Sequence, residues 1–491
     1  MIHYQSTRGS KSIKTSAQAI IQGIAEDKGL YVPSEIPKLP FAIDDMVGKT
    51  YQEVAFNVIK SFFEDYTDEE LEHCIYGAYD SKFEEKDIVP IKKGGEAYFL
   101  ELYHGKTAAF KDMALSILPY LLTTAMKKEK EERKICILTA TSGDTGKAAL
   151  EGFADVAGTE IVVFYPSQGV SQVQERQMVT QEGENTHVFA IEGNFDDAQT
   201  GVKKIFGDDA FAKELAKINC KLSSANSINI GRLVPQVAYY VYGYAKLVEQ
   251  GVIKSGEPVN IVVPTGNFGN ILAAYYAGEM GIPVKKYICA SNENKVLTDF
   301  INTGTYDLNR EFFLTNSPSM DILISSNLER LLYHLSGQNG DEIKGFMDSL
   351  EQNKEYTVSA KIKEGLERFY GGFADMKRTN ETIDELYNQK GYLVDTHTAV
   401  AYRVYADYVA QTGDKTPSLI ASTASAYKFA DSVADSIGIG KGTDGFDSIR
   451  KIHEKTGVRI PAGLKGLEEK EIRHQGVLKV DELAAAVKKS L

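Results

Sequence analysis

Residues 259–280 read VNIVVPTGNFGNILAAYYAGEM. A short β-branched run, 259–263, meets the turn Pro264-Thr265-Gly266-Asn267-Phe268-Gly269-Asn270, and a helix-forming segment follows. Strand, glycine-rich turn and helix in that order make a βα unit. The turn then opens a helix amino terminus, where unpaired backbone N–H groups and the positive end of the helix dipole favour an anion. A plain Gly-Asn chain reversal accounts for the same residues.

Working outward, a second unit of this kind stands at 134–146. The run 134–140 (KICILTA) feeds Thr141-Ser142-Gly143-Asp144-Thr145-Gly146, and a helix is expected from near Lys147. The GDTGK portion resembles part of a nucleotide-binding P-loop. That motif requires Gly at 141 and Ser or Thr at 148, where Thr141 and Ala148 stand, so the nucleotide reading fails on spacing. Further strands are expected at 160–165, 186–191, 284–290 and 418–422, most of them separated by helical patterns, which predicts parallel open sheets. Gly440-Lys441-Gly442-Thr443-Asp444-Gly445 matches GxGxxG by letter, yet no strand precedes it and a loop is expected. The first ninety residues read as mostly helical, with Ala17, Ile20, Ile21 and Ile24 at helical spacing, Ser16 as N-cap and Gly29 as stop. Residues 300–390 are rich in charge and helix formers.

The totals bound the class. A chain of 491 residues exceeds one compact core, and a prior of roughly 150 residues per domain gives two or three domains. Hydrophobic residues at 43% and charged residues at 25% are ordinary for a globular protein. A net charge of −13 opposes phosphate attraction and argues against nucleic acid as partner. The four cysteines, Cys74, Cys136, Cys220 and Cys289, are scattered without a CxxC pair, so neither a zinc site nor a disulfide framework is expected and a reducing compartment fits. Apolar stretches such as 115–126 fall short of a membrane span, and residues 1–30 lack the apolar core of a signal peptide. A cytoplasmic location without membrane contact is expected.

One lysine has unusual surroundings. Lys111 follows Ala108, Ala109 and Phe110 in the segment 99–112 (FLELYHGKTAAFKD). Burial there would lower its pKa and free a neutral amine to attack an aldehyde. On local chemistry alone, a solvated lysine at a helix start is the plainer reading. Among the eight histidines, His397 stands out in Asp395-Thr396-His397-Thr398, where Asp395 or Thr396 is positioned to cap a helix and His397 to cap or pack rather than catalyse.

Along nearly its full length the chain resembles the threonine synthase family of fold-type II pyridoxal phosphate enzymes. The resemblance runs through Ser6-Thr7-Arg8-Gly9, GLYVPSEIP at 29–37, HGKTAAFKDMA at 104–114, TSGDTG at 141–146 and SQVQERQM at 171–178. It continues through EGNFDDAQ at 192–199, NSINIGR at 226–232, SPSMDI at 317–322 and DTHTAVA at 395–401. It implies an α/β, tryptophan synthase β-like fold of two open-sheet domains plus an amino-terminal domain. The expected division is 1–90 for the amino-terminal domain, 91–129 with 241–491 for the larger cofactor-binding domain, and 130–240 for the smaller inserted one.

The resemblance also implies roles. Lys111 is the Schiff-base residue for pyridoxal 5'-phosphate; Gly266, Asn267, Phe268, Gly269 and Asn270 wrap the cofactor phosphate; Asp144 lies beside the ring hydroxyl; and the hydroxyl of Thr423 faces the pyridine nitrogen. A carboxylate at Asp144 would need a proton or a donor partner. Ser142, Thr145, Asn226, Ser227 and Arg232 correspond to the substrate pocket, where the Arg fork suits a phosphate. Departures occur where Ser425-Ala426-Tyr427 replaces a usual His-Pro-Ala, and where Lys106 and Ala108 replace Pro and Leu. The implied reaction is β,γ-replacement of O-phospho-L-homoserine by water, giving L-threonine and phosphate with Lys111 as proton carrier. Two other readings stay open: elimination from the same substrate to 2-oxobutyrate, and a catalytically silent cofactor-binding protein. No metal is implied, and a monomer is expected, with a dimer as the alternative.

Overall fold

The computed structural model describes residues 1–168 and 170–491, and every side chain among them except that of Asp196. Two open sheets carry the α/β part of the chain. The six-stranded sheet runs in the order Phe369–Phe373, Val284–Ser291, Val259–Pro264, Ser418–Ser422, Ala97–Glu101, Ile91–Gly94. Its pairings are parallel except for the hairpin of the last two strands. Val259–Pro264 and Ser418–Ser422 are buried at every residue, as strands covered on both faces must be. The five-stranded sheet is parallel throughout, in the order Gly476–Leu478, Thr186–Ile191, Thr159–Pro166, Lys134–Ala140, Cys220–Ser223.

All six strands expected from the sequence are present; three match the expected range and three extend it by one residue at one or both ends. The chain leaves the six-stranded sheet after Ala97–Glu101, builds the first four strands of the other, and returns through the long helix Ile230–Glu249. Near its end it rejoins the smaller sheet: Gly476–Leu478 pairs with Thr186–Ile191, and the helix Leu483–Lys489 buries Leu483 and Val487 in that sheet's core.

The amino-terminal segment contributes the two-stranded pair Tyr4–Ser6 and Tyr31–Pro33 and the helices Ser16–Gln22, Tyr51–Phe62 and Asp68–Ala78. Two details differ from the expectation. The N-cap of the first helix is Thr15, which forms a capping box with Gln18, because the Ser16 hydroxyl is taken by Asp65. That helix ends at Gly23, while Gly29 is required elsewhere: a Cβ there would stand 2.0 Å from Ser6 Oγ. Gly440–Asp444 is a loop without a preceding strand, and Asp444 caps the helix Gly445–Thr456, which begins at the last glycine of the match. Helices dominate the 300–390 region, accompanied by the small ladder Thr305–Asp307 with Glu355–Thr357. No described helix is long and apolar enough to cross a membrane.

The two sheet systems touch through a glycine. Gly152 lies in the helix Asp144–Phe153, and a Cβ on it would stand 2.2 Å from the carbonyl oxygen of Leu115, the last residue of the helix Asp112–Leu115 that begins beside Lys111. Gly152→Ala is therefore expected to lower stability by about 1–3 kcal/mol through overpacking, despite the roughly 1 kcal/mol that Ala gains in helix propensity. Urea unfolding monitored by circular dichroism measures this; a midpoint at or above that of the unsubstituted chain would contradict the close approach.

Candidate active site

Lys111 is held by backbone pairing between two segments far apart in sequence. Ala109 and Ala424 form an isolated antiparallel bridge, Phe110 N donates to Thr423 O (2.8 Å), and Ser425 N donates to Ala108 O (3.0 Å). The strand Ser418–Ser422 thus delivers Thr423 alongside the residue before Lys111. Ala108 takes a left-handed φ of 58° to turn the chain there. Beneath this turn the buried Asp112 carboxylate accepts from Thr107 N (2.8 Å) and Thr107 Oγ1 (2.6 Å). Burial pushes Asp112 up to about 6 against the pull of those bonds. A Cβ at Gly105 would stand 2.5 Å from Asp112 Oδ2, so the HGKT stretch needs its glycine. In the departure from His-Pro-Ala, Ser425 Oγ accepts from Tyr427 N (3.4 Å) and the Tyr427 hydroxyl donates to Val458 O (2.5 Å), bracing the loop from the far side. Lys106 pairs with Glu151 (2.8 Å) at a half-exposed position, where such a pair contributes little.

The loop after Lys134–Ala140 folds around Thr141 Oγ1, which accepts from Gly143 N (3.0 Å) and Gly146 N (2.9 Å). This starts the next helix at Asp144, with Gly143 at φ 134° and no room for a Cβ against Gln174. Asp144 is buried, and its partners come from other segments. Oδ1 receives Gln174 Nε2 (2.8 Å) and Lys428 Nζ (3.0 Å), while Oδ2 lies 3.6 Å from Lys111 Nζ. Burial alone would raise Asp144, but Lys428, Lys111 and Gln174 outweigh it and hold the group far below the usual carboxylate range. Burial is also the main cause that lowers Lys111; Asp144 opposes it, and the nearby cations Arg232 and Lys428 reinforce it.

At the end of Val259–Pro264, Phe268 adopts φ 64° and caps the helix Gly269–Met280. The turn is pinned by its carbonyls. Gly266 O accepts from Ser325 Oγ (2.7 Å), and Asn267 O accepts from both Asn327 N and Asn327 Nδ2 (3.0 Å each). The amides of Gly266 to Asn270 take no part in these bonds. A Cβ at Gly266 would stand 2.6 Å from Ser319 O, so the turn admits only glycine there. Asn270 Oδ1 accepts from the Tyr240 hydroxyl, whereas its buried Nδ2 has no partner.

Arg232, the third residue of Ile230–Glu249, is buried, and no carboxylate lies within ion-pair distance of it among the described residues. One Nη donates to Ala225 O (2.8 Å), Nε is buried without a partner, and burial brings the group down to about 10. Ser227 Oγ accepts from Asn327 Nδ2 (3.1 Å), so Asn327 ties the 266–270 turn to the 226–229 turn. Ser142 and Thr145 flank Gly143-Asp144, and Asn226 precedes Ser227; their side chains make no hydrogen bond among the described residues. Thr423 is buried, and its N–H donates to Thr398 Oγ1 (3.3 Å).

Several participants were not singled out from the sequence. Gln174 lies in a segment that carries the family resemblance and Lys428 directly follows the Ser425-Ala426-Tyr427 departure, but their partner Asp144 is distant in sequence. Arg330, fully buried, donates to Tyr31 O (2.9 Å), Ile228 O (2.5 Å) and Asn327 Oδ1 (2.5 Å), and nothing local in sequence marks it. His397 does more than pack. Nδ1–H donates to Asp395 Oδ2 (2.9 Å), which also caps the helix, and this leaves Nε2 to accept from Ser319 N (3.2 Å) beside Gly266.

The donor set fits a phosphorylated aldehyde such as pyridoxal phosphate. The 266–270 amides at a helix amino terminus, with the unpartnered Asn270 Nδ2, could hold its phosphate. Lys111 could take its aldehyde, and the neutral Thr423 hydroxyl its ring nitrogen. The unpartnered Arg232 Nε leaves a second, separate place for an anion.

Comparison with known proteins gives the same picture. Residues 3–79 match the family model described as threonine synthase N terminus, 89–423 that of pyridoxal-phosphate dependent enzymes, and 398–489 that of the threonine synthase C-terminal region. Human threonine synthase-like 1 is 41% identical over 442 residues, which cover 87% of this chain but 58% of that protein, so the chain spans somewhat over half the length of such relatives. Threonine synthase of Saccharomyces cerevisiae is 37% identical over 466 residues, 88% of this chain and 89% of that one. Among solved structures, PLP-bound threonine synthase from Brucella melitensis superposes with a TM-score of 0.88 at 33% identity, covering 100% of this chain and 99% of that one. The yeast enzyme gives 0.87 at 32%, covering 99% and 98%. With the match extending through both ends and the cofactor-binding middle, the chain belongs to the threonine synthase family of pyridoxal-phosphate-dependent enzymes.

Proposed function

We propose that this chain converts O-phospho-L-homoserine and water into L-threonine and phosphate, with pyridoxal phosphate anchored on Lys111. The observation that carries the reading is the pairing of two anion sites around one amine: the amide-rich 266–270 turn for the cofactor, and Arg232, buried without a carboxylate, for the substrate phosphate. When bound, pyridoxal phosphate supplies an electron sink for charge that develops on the amino-acid carbons.

The chain's own residues do the rest. Arg232 Nε, with Ser142, Thr145, Asn226 and Ser227 in the adjoining turns, binds the phosphate that leaves from Cγ. Lys111 Nζ would lie beside the carbon skeleton and move protons at Cα and Cβ; its lowered pKa keeps a neutral fraction available for that work. Asp144 stays ionised and orients Lys111 from one side. Thr423 offers a hydroxyl, which cannot hold a ring proton as a carboxylate would.

We assign residues 1–90 to an amino-terminal domain, 91–129 with 241 onward to the larger domain, and 130–240 to the smaller one, with the strand Gly476–Leu478 and the final helix packing on the smaller sheet. The four cysteines, all buried and unpaired, support a reducing cytoplasmic setting, and we read the enzyme as a monomer.

Incubation with O-phospho-L-homoserine, measuring phosphate and threonine together, tests the reaction. Equal yields are expected; phosphate accompanied by 2-oxobutyrate would indicate elimination, and phosphohomoserine left unchanged by cofactor-loaded protein would indicate a silent binding protein. Arg232→Lys is expected to lower kcat/KM for phosphohomoserine by about tenfold or more, since a point charge replaces a fork. Steady-state kinetics checks this, and an unchanged kcat/KM would remove Arg232 from the substrate site.

A further inference from the structure

Lys428 has no assigned role, and its surroundings are unusual for a lysine. It is 0% exposed, whereas the Lys111 side chain is 12% exposed, so of the two lysines flanking Asp144 only Lys111 is open to a ligand. A buried ammonium is tolerable only when its donors are all used. The three donors of Lys428 meet three acceptors: Asp144 Oδ1 (3.0 Å), Thr107 O (3.1 Å) and Gln177 Oε1. Gln177 Nε2 in turn donates to Thr107 O (3.3 Å), closing the cluster. The cluster joins the lysine segment, the Asp144 loop, the helix Gln172–Val179 and the loop after Ser418–Ser422.

The charges have an order. Asp144 turns one oxygen to Lys428 and the other to Lys111. Were Lys428 absent, Asp144 would have one cationic partner in a site of low dielectric, and the pair would keep Lys111 protonated. An amine that attacks an aldehyde and then carries protons must be able to give its proton up.

We propose that Lys428 is a positioning residue of this site, holding Asp144 as a carboxylate beside Lys111 and offsetting that carboxylate's pull on the Lys111 proton. The inference rests on the reading of Lys111 as the reacting amine. The other charged groups at the site are Arg232, which faces Lys111 and acts in the same direction as Lys428, Asp112, which faces Lys428, and the Lys147–Glu151 pair farther out.

Competitive acetylation of the full-length, cofactor-free chain across a pH series, read lysine by lysine by mass spectrometry, gives the titration midpoint of Lys111. In Lys428→Met the midpoint is expected to rise by about one pH unit, so that acetylation of Lys111 at neutral pH falls about tenfold. Lys428→Gln removes the same charge while keeping a donor, and is the variant to read if the Met variant does not fold. Lys428→Arg, which keeps the charge, is expected to keep the midpoint. A midpoint that stays or falls in the folded neutral variants overturns the inference, as does a rise in the Arg variant equal to that in the neutral ones. A cofactor attached to some residue other than Lys111 would sink the functional reading and leave this comparison standing. Attachment at Lys111 with a midpoint indifferent to Lys428 would sink this inference alone.

Discussion

Asp144 places a carboxylate out of water where the two sheets meet, and a buried ion is tolerated only when opposite charge and donors replace its lost hydration. Those partners arrive from three directions: Gln174 from the five-stranded side, Lys428 from the loop after Ser418–Ser422, and Lys111 from the segment after Ala97–Glu101. Gln174 shares the five-stranded unit with Asp144, but neither lysine can reach the carboxylate unless both sheets are formed and docked. The same docking draws Thr423 against Phe110 and brings Leu115 within reach of Gly152, so the requirements of one carboxylate coincide with the close packing between the units.

Around that centre the chain keeps two anion sites apart while binding them to a common support. Asn327 donates to Asn267 O on one side and to Ser227 Oγ on the other, and Arg330 fixes the Ser227 turn and Tyr31 of the amino-terminal segment from behind. Glu329, between them, receives Thr7 Oγ1 and Arg8. The amino-terminal segment is thereby connected to both turns through one short stretch of chain, which gives its residues a part in positioning the site.

Much of this was legible in the sequence where the signal is local. The buried parallel strands are short apolar runs bounded by turns, and the two glycine-rich loops follow strands and open helices. The strands that escaped notice are those with weak patterns. Phe369–Phe373 carries two glycines at a sheet edge, Gly476–Leu478 is partly exposed at another, and the hairpin Ile91–Gly94 with Ala97–Glu101 is interrupted by Lys and Gly. The site divides the same way. Lys111, the 266–270 turn and Arg232 sit in recognisable segments, whereas Lys428 and Arg330 acquire their meaning only from partners 100 or more residues away: Asp144 and Gln177 for Lys428, Tyr31 and Ile228 for Arg330. Ser16 and Gly29 show the converse: each fits a local helix rule, but a tertiary partner, Asp65 or Ser6, claims it instead.

The central claim is that Lys111, and not the fully buried Lys428 on the other side of the same carboxylate, is the reacting amine. Borohydride reduction of the cofactor-loaded protein followed by peptide mapping decides it most directly. The account predicts one phosphopyridoxyl group, on the peptide that contains Lys111. A label on the peptide containing Lys428, or one distributed over several lysines, would contradict it.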